Sequence, residues 1–294
     1  MDKKIFISTG GFSKEKPIYI THLFLRNNIF NIELSSGKYS KQSLSKILKL
    51  KKKCNFILHN YFPPPKKPFV MNLASKNNSI FLKTKKLILK SIKFSKKLDS
   101  RYYAFHAGFC FDPDIKKLGK TFEKSNLLNR NEALKIFKNR VLEINQNIND
   151  RNFNLLIENN VITRKNYKKF GGNPLLLTNP KEISAFFKKM PQNVGLLLDV
   201  GHLKVSSKTE NFSAKNAMKI LKPFIKGYHL SENSGYSDSN KEIRQNSWFI
   251  PYLNKRVKYI TLEVYTSSIA KLKNQIKLVS KIFKNEKQFK RIFN

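Results

Sequence analysis

Four stretches of this chain end on side chains that could share a metal ion or hand on a proton. The first, Gly195–His202, reads GLLLDVGH: three leucines, enough for a buried strand and too few for a helix, then Asp199 and His202 around the small Gly201. The second is Phe153–Ile157, which runs into Glu158. The third is Ile225–Tyr228, which runs into His229. The fourth is Tyr259–Leu262, which runs into Glu263. Imidazole nitrogen and carboxylate oxygen together hold Zn²⁺ at about 2.0–2.2 Å, and Mn²⁺ accepts the same donors. A pair of glutamates can also remove a proton from one face of a carbon and return it on the other. Any one of these residues reads equally as a capped or salt-bridged strand end. As a set they read as a site.

Holding such a set together requires a repeating scaffold. Apolar runs at Ile5–Ser8, Phe30–Leu34, Phe56–Leu58, Tyr102–Phe105, Phe153–Ile157, Gly195–Leu198, Ile225–Tyr228 and Tyr259–Leu262 predict eight strands. Helical spacing covers Pro17–Asn27, Ser40–Leu50, Ser79–Leu98, Asn131–Ile148, Ala214–Leu221 and Ile269–Phe283, and Asn179-Pro180 opens a further helix. Trp248–Leu253 is a short helix or turn. Prolines at 63–65 and 68 make a stiff loop after the third strand. Strands alternating with helices pair in parallel, and eight such units close on themselves. The expectation is therefore an α/β protein, one (β/α)8 TIM-barrel domain over residues 1–294. Active sites of such barrels lie at the C-terminal strand ends. Those ends carry Glu33, His59 with Asn60 and Tyr61, His106, Glu158, Asp199 with His202, His229 and Glu263. Of five histidines only His22 lies elsewhere. Scattered surface histidines would not gather in this way.

The totals narrow the setting. With 40% hydrophobic and 12% aromatic residues, 294 residues can bury a sizeable core. No window approaches the roughly 18 apolar residues of a membrane span, and MDKKIFISTGGF lacks the apolar centre of a leader. The reading is a soluble, cytoplasmic protein with no membrane partner. Cys54 and Cys110 suit a reducing compartment, and Cys110 has no paired histidine to make it a nucleophile. The 58 Lys+Arg against 19 Asp+Glu give a formal +39, a field that attracts nucleic acid or phosphorylated substrates. The lysines are spread along the chain beside abundant Asn, Ile and Phe, so the charge reads first as compositional bias on solvated faces.

The order Glu158, Asp199-x-x-His202, His229, Glu263 on strands five to eight resembles the xylose isomerase-like barrel superfamily, which contains sugar and sugar-phosphate isomerases and epimerases together with endonuclease IV. The segments IELSSG, FHAGF, LLIEN, LLLDVGH and LEVY carry the resemblance over nearly the whole chain. In the ketose epimerase branch it implies that Glu158, Asp199, His229 and Glu263 hold one divalent ion (Mn²⁺, Zn²⁺, Co²⁺ or Mg²⁺). Glu158 and Glu263 would also be the catalytic pair, moving a proton through a metal-stabilised enediolate, with His202 on the substrate. Glu33, Asn60, Tyr61, Glu232 and Asn233 are the further substrate-contact candidates, with Lys38, Lys204 and Arg244 as softer ones. In the endonuclease IV branch His59 and His106 join Glu158 on a second ion, and His202 takes a third together with an Asp-x-His pair. Here that pair is Asp238-Ser239-Asn240, and Asn is a far poorer zinc ligand than His. The expected function is a divalent-metal-dependent sugar or sugar-phosphate isomerase/epimerase. The alternatives are a zinc phosphodiesterase acting on abasic DNA and a barrel that binds sugar or nucleic acid without catalysis. Barrels of this group commonly pair, so a homodimer is an expected partner state.

Overall fold

A computed structural model describes residues 4–117, 120–123 and 125–284. Met1-Asp2-Lys3, part of the N-terminal stretch considered above, lie outside the described residues. Eight parallel strands form a closed barrel in sequence order: β1 (Ile5–Ser8), β2 (Asn31–Leu34), β3 (Asn55–His59), β4 (Tyr102–His106), β5 (Asn154–Glu158), β6 (Val194–Asp199), β7 (Ile225–Leu230) and β8 (Tyr259–Leu262). The strands that carry His59, His106, Glu158, Asp199 and His229 run far enough to include those residues, so each side chain is aimed by sheet geometry and not by a loop.

Nine α-helices occur among the described residues. They are α1 (Pro17–Arg26), α2 (Ser43–Lys49), α3 (Asn78–Lys97), α4 (Arg130–Ile148), α5 (Arg164–Phe170), α6 (Pro180–Phe187), α7 (Val200–Glu210), α8 (Ala214–Leu221) and α9 (Ile269–Lys284). Asn77, Asn129 and Asn179 cap α3, α4 and α6 through their side-chain oxygens, which fits the preference for Asn ahead of a helix. Trp248–Leu253 contains a single 3₁₀ turn, Ile250–Tyr252. None of the described helices is long and apolar enough to cross a membrane.

Side-chain alternation along the strands divides the barrel interior into two layers. Phe6, Ile57, Tyr102, Ala104, Leu156 and Leu197 form one apolar cluster, with Tyr259 against it. Two residues further along the same faces come His59, His106, Glu158, Asp199 and Thr261. The other strand faces (Ile7, Leu58, Tyr103, Phe105, Leu155, Ile157, Leu196, Leu198) join the larger core under the helices. The polar layer thus rests on a plug of packed hydrocarbon, with strand register placing His106 beside Glu158 and Asp199 beside His229.

Asn160 locks the wall next to this layer. Its Nδ2 lies 3.0 Å from the carbonyls of Ala107, Gly108 and Leu176, joining the loops after β4 and β5 to the segment before α6. Asn160→Ala strands the Ala107 and Leu176 carbonyls, while Gly108 keeps the Leu176 N–H, in a site only 5% exposed. It is expected to cost about 2–4 kcal/mol, read as a lower urea midpoint with an unchanged slope.

Candidate metal centre

His229 is the hub. Its Nε2 lies 2.9 Å from Glu33 Oε2, and its Nδ1 lies 3.0 Å from Glu263 Oε2, 3.0 Å from Glu158 Oε1 and 4.0 Å from Asp199 Oδ2. A single N–H cannot serve three carboxylates, and only Glu263 Oε2 meets it with hydrogen-bond geometry. Glu158 Oε1 and Asp199 Oδ2 are buried without a hydrogen-bond partner among the described residues. Buried, unpartnered carboxylate oxygens converging on one imidazole are costly in isolation and fit a divalent cation. Glu158, Asp199, His229 and Glu263 each offer a ligand atom, all within 4.8 Å of one another.

A second group, His59, His106 and Glu158, meets the same distance condition. His59 Nε2 lies 2.7 Å and His106 Nδ1 3.0 Å from Glu158 Oε2, the oxygen opposite the one facing His229. Glu158 therefore bridges the two groups. A third group is Glu33, His59 and His229.

The metal-free cluster is strongly coupled. Burial would raise the Glu158 carboxyl, but the imidazoles of His106, His229 and His59 outweigh it and hold it well below the usual range. Burial likewise opposes the shift at Glu263, which the His229 imidazole holds down at about 2. Asp199 goes the other way, because burial dominates and pushes it up to about 8. At His229 burial favours the neutral ring, yet the carboxylates of Glu33, Glu158 and Glu263 prevail and raise it well above the ordinary imidazole value.

Asp199 has two separate tasks. It is the N-cap of α7, where Oδ1 accepts the His202 N–H at 2.7 Å, leaving Oδ2 for the metal group. The Asp-x-x-His spacing is thus a capping distance. Gly201 sits between them because a Cβ there would lie 2.9 Å from Ser231 Oγ and 3.1 Å from Asp199 Oδ1. His202 packs its ring near His106, with Nδ1 2.8 Å from the Asn159 carbonyl and Nε2 3.2 Å from Asp238 Oδ2. Burial would lower its pKa; Asp199 and Asp238 raise it well above the ordinary value.

The other expected site residues lie around this cluster. Glu33 lies beneath His229, where Oε2 also accepts from Thr261 Oγ1 at 2.9 Å. Tyr61 packs on Phe69 and accepts the Met71 N–H at 2.7 Å. Asn60 takes a left-handed backbone (φ 45°) and anchors its own peptide groups to Ala104 and Tyr103. Glu232 is bound by Lys204 at 2.8 Å, while Asn233 Nδ2 donates to the Gly201 carbonyl and its Oδ1 accepts from Gly235 N–H. Glu232 and Asn233 thus tie the loop after β7 to α7. Asn240 turns its Oδ1 to Ser231 Oγ at 3.1 Å, so Asp238 alone of its pair meets His202.

Asn159 goes unassigned in the sequence. Its Oδ1 accepts the Asp199 N–H at 2.8 Å, its Nδ2 donates to the Asp199 carbonyl at 3.2 Å, and its own carbonyl receives His202. Its place directly after Glu158 is the only signal.

A family model described as xylose isomerase-like TIM barrel matches residues 27–256. No curated protein matches the sequence. Among solved structures, a D-tagatose 3-epimerase-like protein superposes with a TM-score of 0.69 at 18% identity, covering 96% of this chain and 97% of the other. A D-psicose 3-epimerase determined in the presence of D-fructose gives 0.65 at 18% identity, covering 96% and 100%. Endonuclease IV from Thermus thermophilus gives 0.58 at 11% identity, covering 97% and 100%. At such identities the likeness is one of fold.

Proposed function

Since the chain belongs to the xylose isomerase-like TIM barrel family, we propose that it is a divalent-metal-dependent isomerase or epimerase of a ketose or ketose phosphate. The observation that carries this reading is the pair of glutamates on β5 and just past β8, each with an oxygen 3.0 Å from His229 Nδ1. Two carboxylates from different walls of one mouth suit removal of a proton from one face of a carbon and its delivery to the other. The structural likeness to a D-tagatose 3-epimerase-like protein and to a D-psicose 3-epimerase supports the substrate class.

In this reading Glu158, Asp199, His229 and Glu263 hold the ion, which when bound supplies Lewis-acid polarisation of the substrate carbonyl. Glu33 accepts from His229 Nε2, so that Nδ1 is the nitrogen left for the ion; a carboxylate behind a ligand imidazole commonly fixes its tautomer in this way. Glu158 and Glu263 exchange the proton at the carbon beside the carbonyl. His202, its Nδ1 held by the Asn159 carbonyl, would turn Nε2 from Asp238 to a substrate hydroxyl at the mouth.

Incubation with Mn²⁺ and a panel of ketohexoses and ketopentoses in D₂O tests this. Enzyme- and metal-dependent deuterium at the carbon beside the carbonyl, with appearance of the epimer by NMR, is the expected result. No exchange with any sugar or its phosphate ester rejects the reading.

One observation favours a zinc phosphodiesterase: His59 and His106 both reach Glu158 Oε2, so these three residues would be able to hold a second ion. Against it stands Asn240, which lacks an imidazole and is engaged with Ser231. Metal-dependent incision of abasic-site duplex would reverse the ranking.

A further inference from the structure

Tyr265 is the residue at the mouth that the proposed chemistry leaves unused, although it touches the machinery directly. It is 48% exposed, yet its hydroxyl end is turned to the site and donates to Glu263 Oε1 at 3.0 Å. Three loops set this orientation. The Tyr265 N–H donates to the Asn240 carbonyl at 2.9 Å, which pins the backbone to the loop after β7. The ring then lies across Gly10 and Gly11, past the end of β1. A Cβ at Gly10 would stand 2.8 Å from the Tyr265 hydroxyl and 3.2 Å from Cε1, and one at Gly11 would stand 3.3 Å from Tyr265 Cα and Cδ1. Only bare backbone leaves room for the ring at this angle.

The two oxygens of Glu263 consequently have different partners. Oε2 faces His229 Nδ1 within the metal group, and Oε1 is taken by the phenol. We propose that Tyr265 is a positioning residue for Glu263, holding Oε1 out of the ion's reach so that the carboxylate presents Oε2 alone, with Gly10 as the clearance that lets the hydroxyl arrive. The proposal rests on Glu263 being a metal ligand. Glu158 needs no counterpart, since imidazoles occupy its far oxygen. Glu263 lies just past its strand at the open rim, so its only such restraint among the described residues is the phenol.

The test uses the full chain and Mn²⁺ alone, with free Mn²⁺ followed by EPR. Second-sphere partners of metal ligands are typically worth about 10–100-fold in affinity, so Tyr265→Phe is expected to weaken Mn²⁺ binding about tenfold or more. The metal-free protein should melt at the wild-type temperature, because the ring stays packed on the glycines. Gly10→Ala leaves both Tyr265 and Glu263 in place but displaces the hydroxyl, and should reproduce the loss. In the double variant the added methyl meets no hydroxyl, so affinity should equal that of Tyr265→Phe. Glu263→Gln separates the two layers of the argument. If it binds Mn²⁺ as wild type does, or if wild type binds none, the metal reading falls and this proposal with it. If Glu263→Gln weakens binding while Tyr265→Phe does not, the positioning role alone is overturned. A lowered melting temperature in Tyr265→Phe with unchanged affinity would also overturn it, leaving an ordinary packing role.

Discussion

Glu158→Gln is expected to lower turnover of the ketose identified by deuterium exchange by at least about 10³-fold, because it deletes a proton-transfer group and a metal ligand together. No other carboxylate in the cluster serves so many partners. Oε2 meets His59 and His106 at 2.7 and 3.0 Å, and Oε1 meets His229 at 3.0 Å. An amide has nearly the same shape, so the barrel should persist with an unchanged far-ultraviolet circular dichroism spectrum. What it lacks is the charge that three imidazoles surround, and its NH₂ group would point a donor at nitrogens or at a cation. Metal content by elemental analysis should fall with activity. Glu263→Gln should also lose turnover, yet it leaves the His59–His106–Glu158 group whole, so an ion bound there would survive. Comparing metal content in the two variants therefore counts the ions as well as testing the base pair. Normal turnover in either variant would remove that glutamate from the mechanism.

The barrel and the gathering of His, Asp and Glu at one end of it are legible in the sequence because both follow from local pattern. Apolar runs of strand length, all but the first carrying His, Asp or Glu at their ends, declare where a parallel strand ends and a polar mouth begins. What escapes a reading of the sequence depends on neighbours far away in the chain. Glu33 and His229 are 196 residues apart, and no local feature of IELSSG marks its carboxylate as lying against the His229 imidazole. Asn159 acts on Asp199 across 40 residues. Helix α7 is hidden for a different reason. It follows directly on Asp199, and its buried residues, Val200, Gly201, His202, Leu203, Val205, Ser206 and Ser207, mix apolar side chains with Gly, His and Ser, so the apolar positions set no 3.6-residue rhythm. Glu232 and Asn233 look available for substrate in the sequence because their partners, Lys204 and Gly201, lie on that same hidden helix.

The second large effect is a divergence of pH profiles between metal-free and metal-loaded protein. Without metal, His229 and His202 titrate well above their ordinary range and Asp199 at about 8. A histidine whose folded pKa is raised stabilises the fold fully below its unfolded value, about 6.5, and that contribution is lost as pH climbs through the folded value. Asp199 acts with the same sign: the folded protein keeps its proton up to about 8 while the unfolded chain releases it near 3.9, so stability falls across that interval. Glu158 and Glu263, depressed in the fold, contribute above about 4.3 and lose that contribution only as pH falls, so they are silent at neutral pH. Between pH 6.5 and 8 every active contribution thus points downward, each retained proton weakening the fold by about 1.4 kcal/mol per pH unit. Metal uptake runs the opposite way. His229 Nδ1 and Asp199 must give up their protons to bind, so affinity should rise as much as about a hundredfold per pH unit below pH 8 where both protons are released. Thermal melts from pH 6.5 to 8 should therefore fall steeply in EDTA and less steeply at saturating Mn²⁺, because the metal-loaded fold has already released the protons of His229 and Asp199 and keeps only that of His202. Parallel curves would mean that the ion, if it binds, displaces no proton from this cluster, and His229 could not then be its ligand.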